Sequence, residues 1–120
     1  MKKILIVEDS EMNRDLLVQL LEDNYELVEA ADGREGLASI ASESPDLVLL
    51  DISLPEMDGY QVTRAVRADE AIRDIPIIAV TAHAMAGDEE KAMEAGCNDY
   101  LTKPIDEEEL WAKVEKLIGV

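Results

Sequence analysis

LVLLDISLPEMDGY, residues 47–60, drives four apolar residues straight into an aspartate, Asp51. Leu47, Val48, Leu49 and Leu50 are apolar at successive positions, so both faces of the segment are buried. That is the mark of a central strand in a parallel sheet. A carboxylate is expensive to bury, so Asp51 belongs where such a strand emerges at a rim. Pro55, Glu56 and Asp58-Gly59 follow, and Asp58-Gly59 reads as a turn and helix start.

On either side the chain alternates between short apolar runs and helical spacing. Lys3 to Val7 (KILIV) reads as a first strand. Ser10 to Asn24 reads as a helix on Leu16, Leu17, Leu20 and Leu21, with Ser10 as N-cap. Glu26 to Ala30 is a second strand. Asp32-Gly33 makes a turn, and Gly36 to Ser42 a second helix stopped by Ser44-Pro45. Asp46 to Asp51 is the third strand and Gly59 to Asp69 the third helix. Ile75 to Thr81 is a fourth strand with Pro76 near its start. Gly87 to Ala95 is a helix whose first turn is acidic, as the helix dipole favours. Asp99 to Thr102 is a short fifth strand. Asp106 caps a last helix through Leu110, Val114 and Leu117 to Ile118. Five strands alternating with five helices predict a doubly wound α/β domain spanning residues 1–120, with right-handed crossovers.

Composition narrows the function. The chain has 120 residues, 48% of them hydrophobic, no Phe and 3% aromatics, so its core is aliphatic. Its 28 acids outweigh 11 bases, for a formal charge of −17. Such a surface repels nucleic acid and anionic membrane and attracts divalent cations; it also serves plain solubility. No apolar run is long enough to span a bilayer. One cysteine cannot form an internal disulfide, which fits a cytoplasmic setting.

Open parallel sheets bind at the carboxyl ends of their strands. Those ends carry Glu8-Asp9, Asp51 and Thr81, and Lys103-Pro104 follows the fifth strand. Three carboxylates, a hydroxyl and an ammonium would then share one rim. At ~5 Å and an effective dielectric of about 20, each like-charge pair costs roughly 3 kcal/mol, so raised pKa values or a bound cation must offset it. Oxygen ligands at a solvated rim suit Mg²⁺. Neighbours in a strand point to opposite faces, so Glu8 and Asp9 both reach one ion only if the chain has begun to turn. Asp9 is the expected direct ligand and Glu8 acts through water. There is no GxxxxGK loop.

Four motifs carry a family resemblance: ILIVED at 4–9, LVLLDISLPEMDGY at 47–60, PIIAVTA at 76–82 and AGCNDYLTKP at 95–104. Together the chain resembles a response-regulator receiver domain of two-component signalling, of the chemotaxis-regulator type. The resemblance implies a (βα)5 flavodoxin-like fold with strand order 2-1-3-4-5. It implies Asp51 as phosphoacceptor from a phosphohistidine on a sensor histidine kinase or histidine phosphotransfer protein. It implies Mg²⁺ held by Glu8, Asp9, Asp51 and the carbonyl of Ser53. Thr81 and Lys103 would meet phosphoryl oxygens, Lys103-Pro104 would be a cis peptide, and Tyr100 would follow Thr81 as a switch. The face of helix four, strand five and helix five would then meet a downstream protein target. The chain would be no turnover enzyme, but a phosphoacceptor with weak self-phosphotransfer and autodephosphorylation, a monomer or weak dimer.

Blander readings stand beside these. Thr81 suits any strand, a lone Lys103 would be a surface lysine, and Tyr100 could be packing. His83 lies near the implied phosphoryl site or is a loop residue. Cys97 reads as core, Met85 and Met93 as helix packing, and Trp111 as either core cover or partner face. The chain's end at Val120 reads as a stand-alone receiver; a receiver cut from a hybrid histidine kinase and an unphosphorylated pseudo-receiver are the alternatives. An aspartyl-phosphate hydrolase would want a second acid where Ser53 stands, and a flavin carrier would want more aromatics.

Overall fold

A computed structural model of the chain describes residues 1–82 and 87–119. His83 and Met85 lie outside the described residues. The elements are β1 Lys3–Val7, α1 Glu11–Leu21, β2 Glu26–Ala30, α2 Gly33–Glu43, β3 Leu47–Asp51, α3 Gly59–Ala68, β4 Ile77–Thr81, α4 Asp88–Ala95, β5 Asp99–Thr102 and α5 Glu107–Ile118. All strand pairs are parallel, in the order β2-β1-β3-β4-β5. This is the order that the family resemblance implies, on the doubly wound α/β architecture read from the alternation.

Local chemistry sets the helix starts. Ser10, Asp32, Asp58 and Asp106 each accept a backbone N–H three residues on. Each thereby satisfies a donor that the first turn leaves orphaned. Asp58 and Gln61 close a reciprocal capping box, which fixes where α3 begins. α2 starts at Gly33, earlier than its apolar spacing suggests, because the Asp32 cap nucleates it there.

All five residues of β3 and of β4 are buried. Alternation sorts their side chains. Ile4, Ile6, Leu47, Leu49, Ile78 and Leu101 pack on one face with Leu17 and Leu21 of α1 and Leu110 and Val114 of α5. Leu5, Val7, Val48, Leu50, Ile77 and Ala79 pack on the other with Ile40 of α2, Val62 and Val66 of α3 and Ala92 of α4. Cys97 is core, at 4% exposure. Met93 departs from expectation: it is 48% exposed, because Ala92 and Ala95 supply the buried side of α4. Trp111 is 41% exposed and donates its indole N–H to the Leu20 carbonyl across the α1–α5 seam at 2.9 Å.

Candidate functional site

The register brings the strand ends level. Val7 pairs with Leu50, Asp51 with Val80 and Thr81 with Thr102. Glu8, Asp51 and Lys103 each continue the alternation that points Ile6, Leu49 and Leu101 toward α1 and α5. Thr81 continues the opposite set, which holds Ala79 and has Tyr100 packed against it. The acids and the lysine therefore share one side of the rim, and the hydroxyl and the aromatic belong to the other.

Glu8 is 2% exposed and Asp51 4% exposed, while Asp9 is exposed. β1 ends at Val7, so the chain has left strand geometry at Glu8-Asp9. One carboxylate oxygen from each of Glu8, Asp9 and Asp51 lies within 4.8 Å of the others. Lys103 Nζ donates to Glu8 Oε1 at 2.6 Å and to Asp51 Oδ2 at 3.2 Å. Backbone donors complete the cage: Ser53 N–H reaches Asp51 Oδ1 at 3.0 Å and Ser10 N–H reaches Glu8 Oε2 at 3.1 Å.

Burial pushes the Glu8 carboxyl up to about 7; Lys103 pulls against that rise, and Asp51 adds to it. Burial works to lower Lys103, but Glu8 and Asp51 outweigh it and hold the ammonium above its ordinary value. The Lys103 ammonium thus contacts two of the three gathered acids. The surplus of carboxylate oxygen, part buried and part open, is a donor set that suits a hard divalent cation such as Mg²⁺.

Asp51 is seated tightly. A Cβ on Gly59 would stand 2.7 Å from the Asp51 carbonyl oxygen and 2.8 Å from Ile52 Cα. Only glycine lets the N-terminus of α3 close on the end of β3, where Gly59 N–H donates to the Ile52 carbonyl at 3.0 Å. Glu56, in the intervening loop, takes the left-handed conformation at φ 65°. The Lys103–Pro104 peptide is cis. Lys103 N–H donates to the Thr81 carbonyl at 2.8 Å, fastening the lysine to the end of β4. Thr81 itself is buried.

Beside the acids runs a cleft of about 130 Å³, lined by Leu16, Leu17, Pro104 and Ile105 together with Glu8 and Lys103. Leu16 in its lining is 45% exposed, and Met12, one turn earlier on α1, is 78% exposed. Sequence reading passed over this apolar lip, although Met12 and Leu16 lie at helical spacing beside a rim already identified.

Comparison with known proteins agrees with this geometry. The response regulator receiver domain family matches residues 4–115. The polar-differentiation response regulator DivK of Brucella ovis is 42% identical over 119 residues, covering 98% of this chain and 97% of that one. A crystal structure of a putative response regulator from Chloroflexus aurantiacus superposes with a TM-score of 0.94 at 33% identity, covering 99% and 98% of the two chains. The receiver domain of a Pseudomonas aeruginosa sensor histidine kinase, with magnesium coordinated in its active-site cleft, gives 0.91 at 40% identity over the same shares.

Proposed function

The chain belongs to the response regulator receiver domain family, and from that premise we propose that residues 1–120 act as a single phosphorylation-dependent switch with Asp51 as phosphoacceptor. The observation that carries this is the Asp51 carboxylate, fixed through Oδ1 by Ser53 N–H and through Oδ2 by Lys103, beside two further acids. An Asp51 oxygen attacks the phosphorus of a phosphohistidine. The O–P bond forms as the P–N bond breaks, and the imidazole leaves with the bonding pair and takes up a proton. Such transfer needs positioning and charge neutralisation more than covalent help from the protein.

Glu8, Asp9, Asp51 and the Ser53 carbonyl would hold Mg²⁺, which neutralises phosphoryl charge when bound. Lys103 turns from the carboxylates to a phosphoryl oxygen, and the Thr81 hydroxyl donates to another. Tyr100 follows Thr81, with small Ala82 leaving room, and the face of α4, β5 and α5 changes for a downstream protein. Driving such an equilibrium from 1:99 to 99:1 takes about 5.5 kcal/mol of differential interaction.

The donor is a sensor histidine kinase or histidine phosphotransfer protein. Its helix would cover the apolar lip at Leu16 and Ile105, which line the same cleft as Lys103, and exposed Met12 one turn before Leu16. Among the described residues no helix is long and apolar enough to cross a membrane, and the working setting is the cytoplasm, as a monomer or weak dimer. The fold and acid set serve signalling rather than turnover; phosphoryl loss from Asp51 is slow self-catalysed hydrolysis.

Incubation with acetyl phosphate or phosphoramidate and Mg²⁺, followed by intact mass, tests this reading. One phosphoryl adduct is expected, absent in Asp51→Asn and absent with EDTA. Unmodified wild-type protein under these conditions would mean a constitutive binding module instead.

A further inference from the structure

β5 is an edge strand, paired with β4 alone. An edge leaves backbone groups without a strand partner, and proteins cover them by other means. At Tyr100 both backbone groups are covered. The Tyr100 N–H donates to the Asp99 carboxylate at 2.8 Å. The Tyr100 carbonyl accepts from Lys113 of α5 at 2.5 Å. Lys113 Nζ also lies 3.2 Å from Asp99 Oδ1 and 3.3 Å from Glu109 Oε1, closing the ring of contacts. The same ammonium stands 5.7 Å from the centroid of the Tyr100 ring, within range of a cation–π attraction. Lys113 is 24% exposed at its side chain, so these contacts are only partly screened.

We propose that Lys113 is a positioning residue that clamps Tyr100 from α5 and holds its ring in the placement seen here. The inference rests on the reading of Tyr100 as the residue that follows phosphorylation. Two of the clamp's contacts, to the Tyr100 carbonyl and to Asp99, do not depend on where the ring points. The ring contact does. Rotation of the ring away from α5 therefore costs that contact alone, while the lysine stays anchored to strand and helix. Lys113 thus biases the unphosphorylated conformer, and by linkage its removal favours any ligand that prefers the other conformer.

The test uses beryllofluoride with Mg²⁺ as the phosphoryl mimic and calorimetry as the readout. Lys113→Met is expected to bind it about three-fold more tightly than wild type, the factor a partly exposed cation–π contact supplies. Lys113→Arg, which keeps the cation, should behave as wild type. In a Tyr100→Leu background the Lys113→Met effect should vanish. Equal affinity of Lys113→Met and wild type, or an effect that survives in Tyr100→Leu, overturns the clamp. A second readout needs no phosphoryl site: the carbon-13 ring resonance of Tyr100, in the metal-free protein, should move in Lys113→Met and not in Lys113→Arg. An unmoved resonance in Lys113→Met also overturns the clamp. If wild type binds no beryllofluoride while that resonance moves, the phosphoacceptor reading fails and the clamp stands.

Discussion

Lys103 lies closer to Glu8, at 2.6 Å, than to Asp51, at 3.2 Å. The lysine therefore serves first as counter-ion to a buried acid, with Glu8 and Asp51 side chains at 3% and 5% exposure. Removing one partner of such a group strands the other charges. Lys103→Ala should lose about 2 kcal/mol of stability in metal-free urea denaturation, below the roughly 3–5 kcal/mol of a fully buried pair because the Lys103 side chain is itself 21% exposed. Added Mg²⁺ should recover much of that loss. A variant as stable as wild type without metal would mean the acids do not depend on Lys103.

Metal should stabilise the folded chain, because the three carboxylates are gathered only when it is folded. At a hundred times its dissociation constant, Mg²⁺ should add about 2.7 kcal/mol. A thermal melt across a Mg²⁺ titration reads this directly. Asp9→Asn and Asp51→Asn should each flatten the response, while a surface change such as Glu94→Gln should not. A wild-type melting temperature indifferent to Mg²⁺ would remove the metal site.

A change at Leu16 should separate donor docking from phosphoryl chemistry. This residue is 45% exposed on the apolar lip and carries no polar group of its own. Leu16→Asp places an unpaired charge where a partner helix would bury it. Transfer from a phosphorylated protein donor should fall at least about ten-fold, equivalent to ~1.4 kcal/mol, with acetyl phosphate labelling unchanged. Equal loss with both donors would place Leu16 in the folding of the site instead.

The sheet and the rim were legible because burial and alternation write themselves into sequence. The unbroken LVLL run marks the central strand, and Glu8, Asp51 and Lys103 follow the parity of Ile6, Leu49 and Leu101. Helix edges shifted where a cap decided them, as Asp32 did for α2. Other features had no pattern to betray them. Nothing in the spacing of Lys113 says that it reaches Asp99 and Tyr100, because α5 meets β5 through the fold and not through local order. Met93 sits at a plausible packing position, but two alanines already fill the buried side of α4. Arg67 drew no reading from the sequence, yet it holds three segments together.

Ser44 ends α2 in the left-handed conformation, at φ 47°. A side chain there strains against the backbone by about 1 kcal/mol, which glycine avoids. Glycine also loosens the unfolded chain, offsetting part of the gain. Ser44→Gly should therefore stabilise by about 0.5 kcal/mol in urea denaturation, with phosphoryl labelling unchanged because the position lies at the opposite end of β3 from Asp51. A loss of stability would show that Ser44 contributes a contact beyond its backbone.

Arg67 offers the largest expected loss away from the site. Its Nε donates to the Gly96 carbonyl at 2.9 Å, and its two terminal nitrogens reach the carbonyls of Arg73 and Ile75 and the side-chain oxygen of Asn98. The guanidinium so joins the end of α3, the approach to β4 and the turn between α4 and β5. Asn98 passes the linkage on, accepting the Ile77 N–H at 2.9 Å. Gly96, at φ 112°, leaves the space that the arginine stem occupies: a Cβ there would meet Arg67 Cγ at 2.7 Å. Burial works to lower the guanidinium's pKa, so its charge is partly desolvated and its acceptors are not readily replaced by water. Arg67→Ala should cost about 3 kcal/mol in urea denaturation, the scale for several hydrogen bonds to a charged group lost together. Lysine has one donor centre where the fork reaches four acceptors, so Arg67→Lys should recover less than half. Amide exchange should quicken at Ile77 and Cys97 in both variants while the Asp51 loop stays protected. Full rescue by lysine would mean that charge alone, and not the fork, holds the three segments.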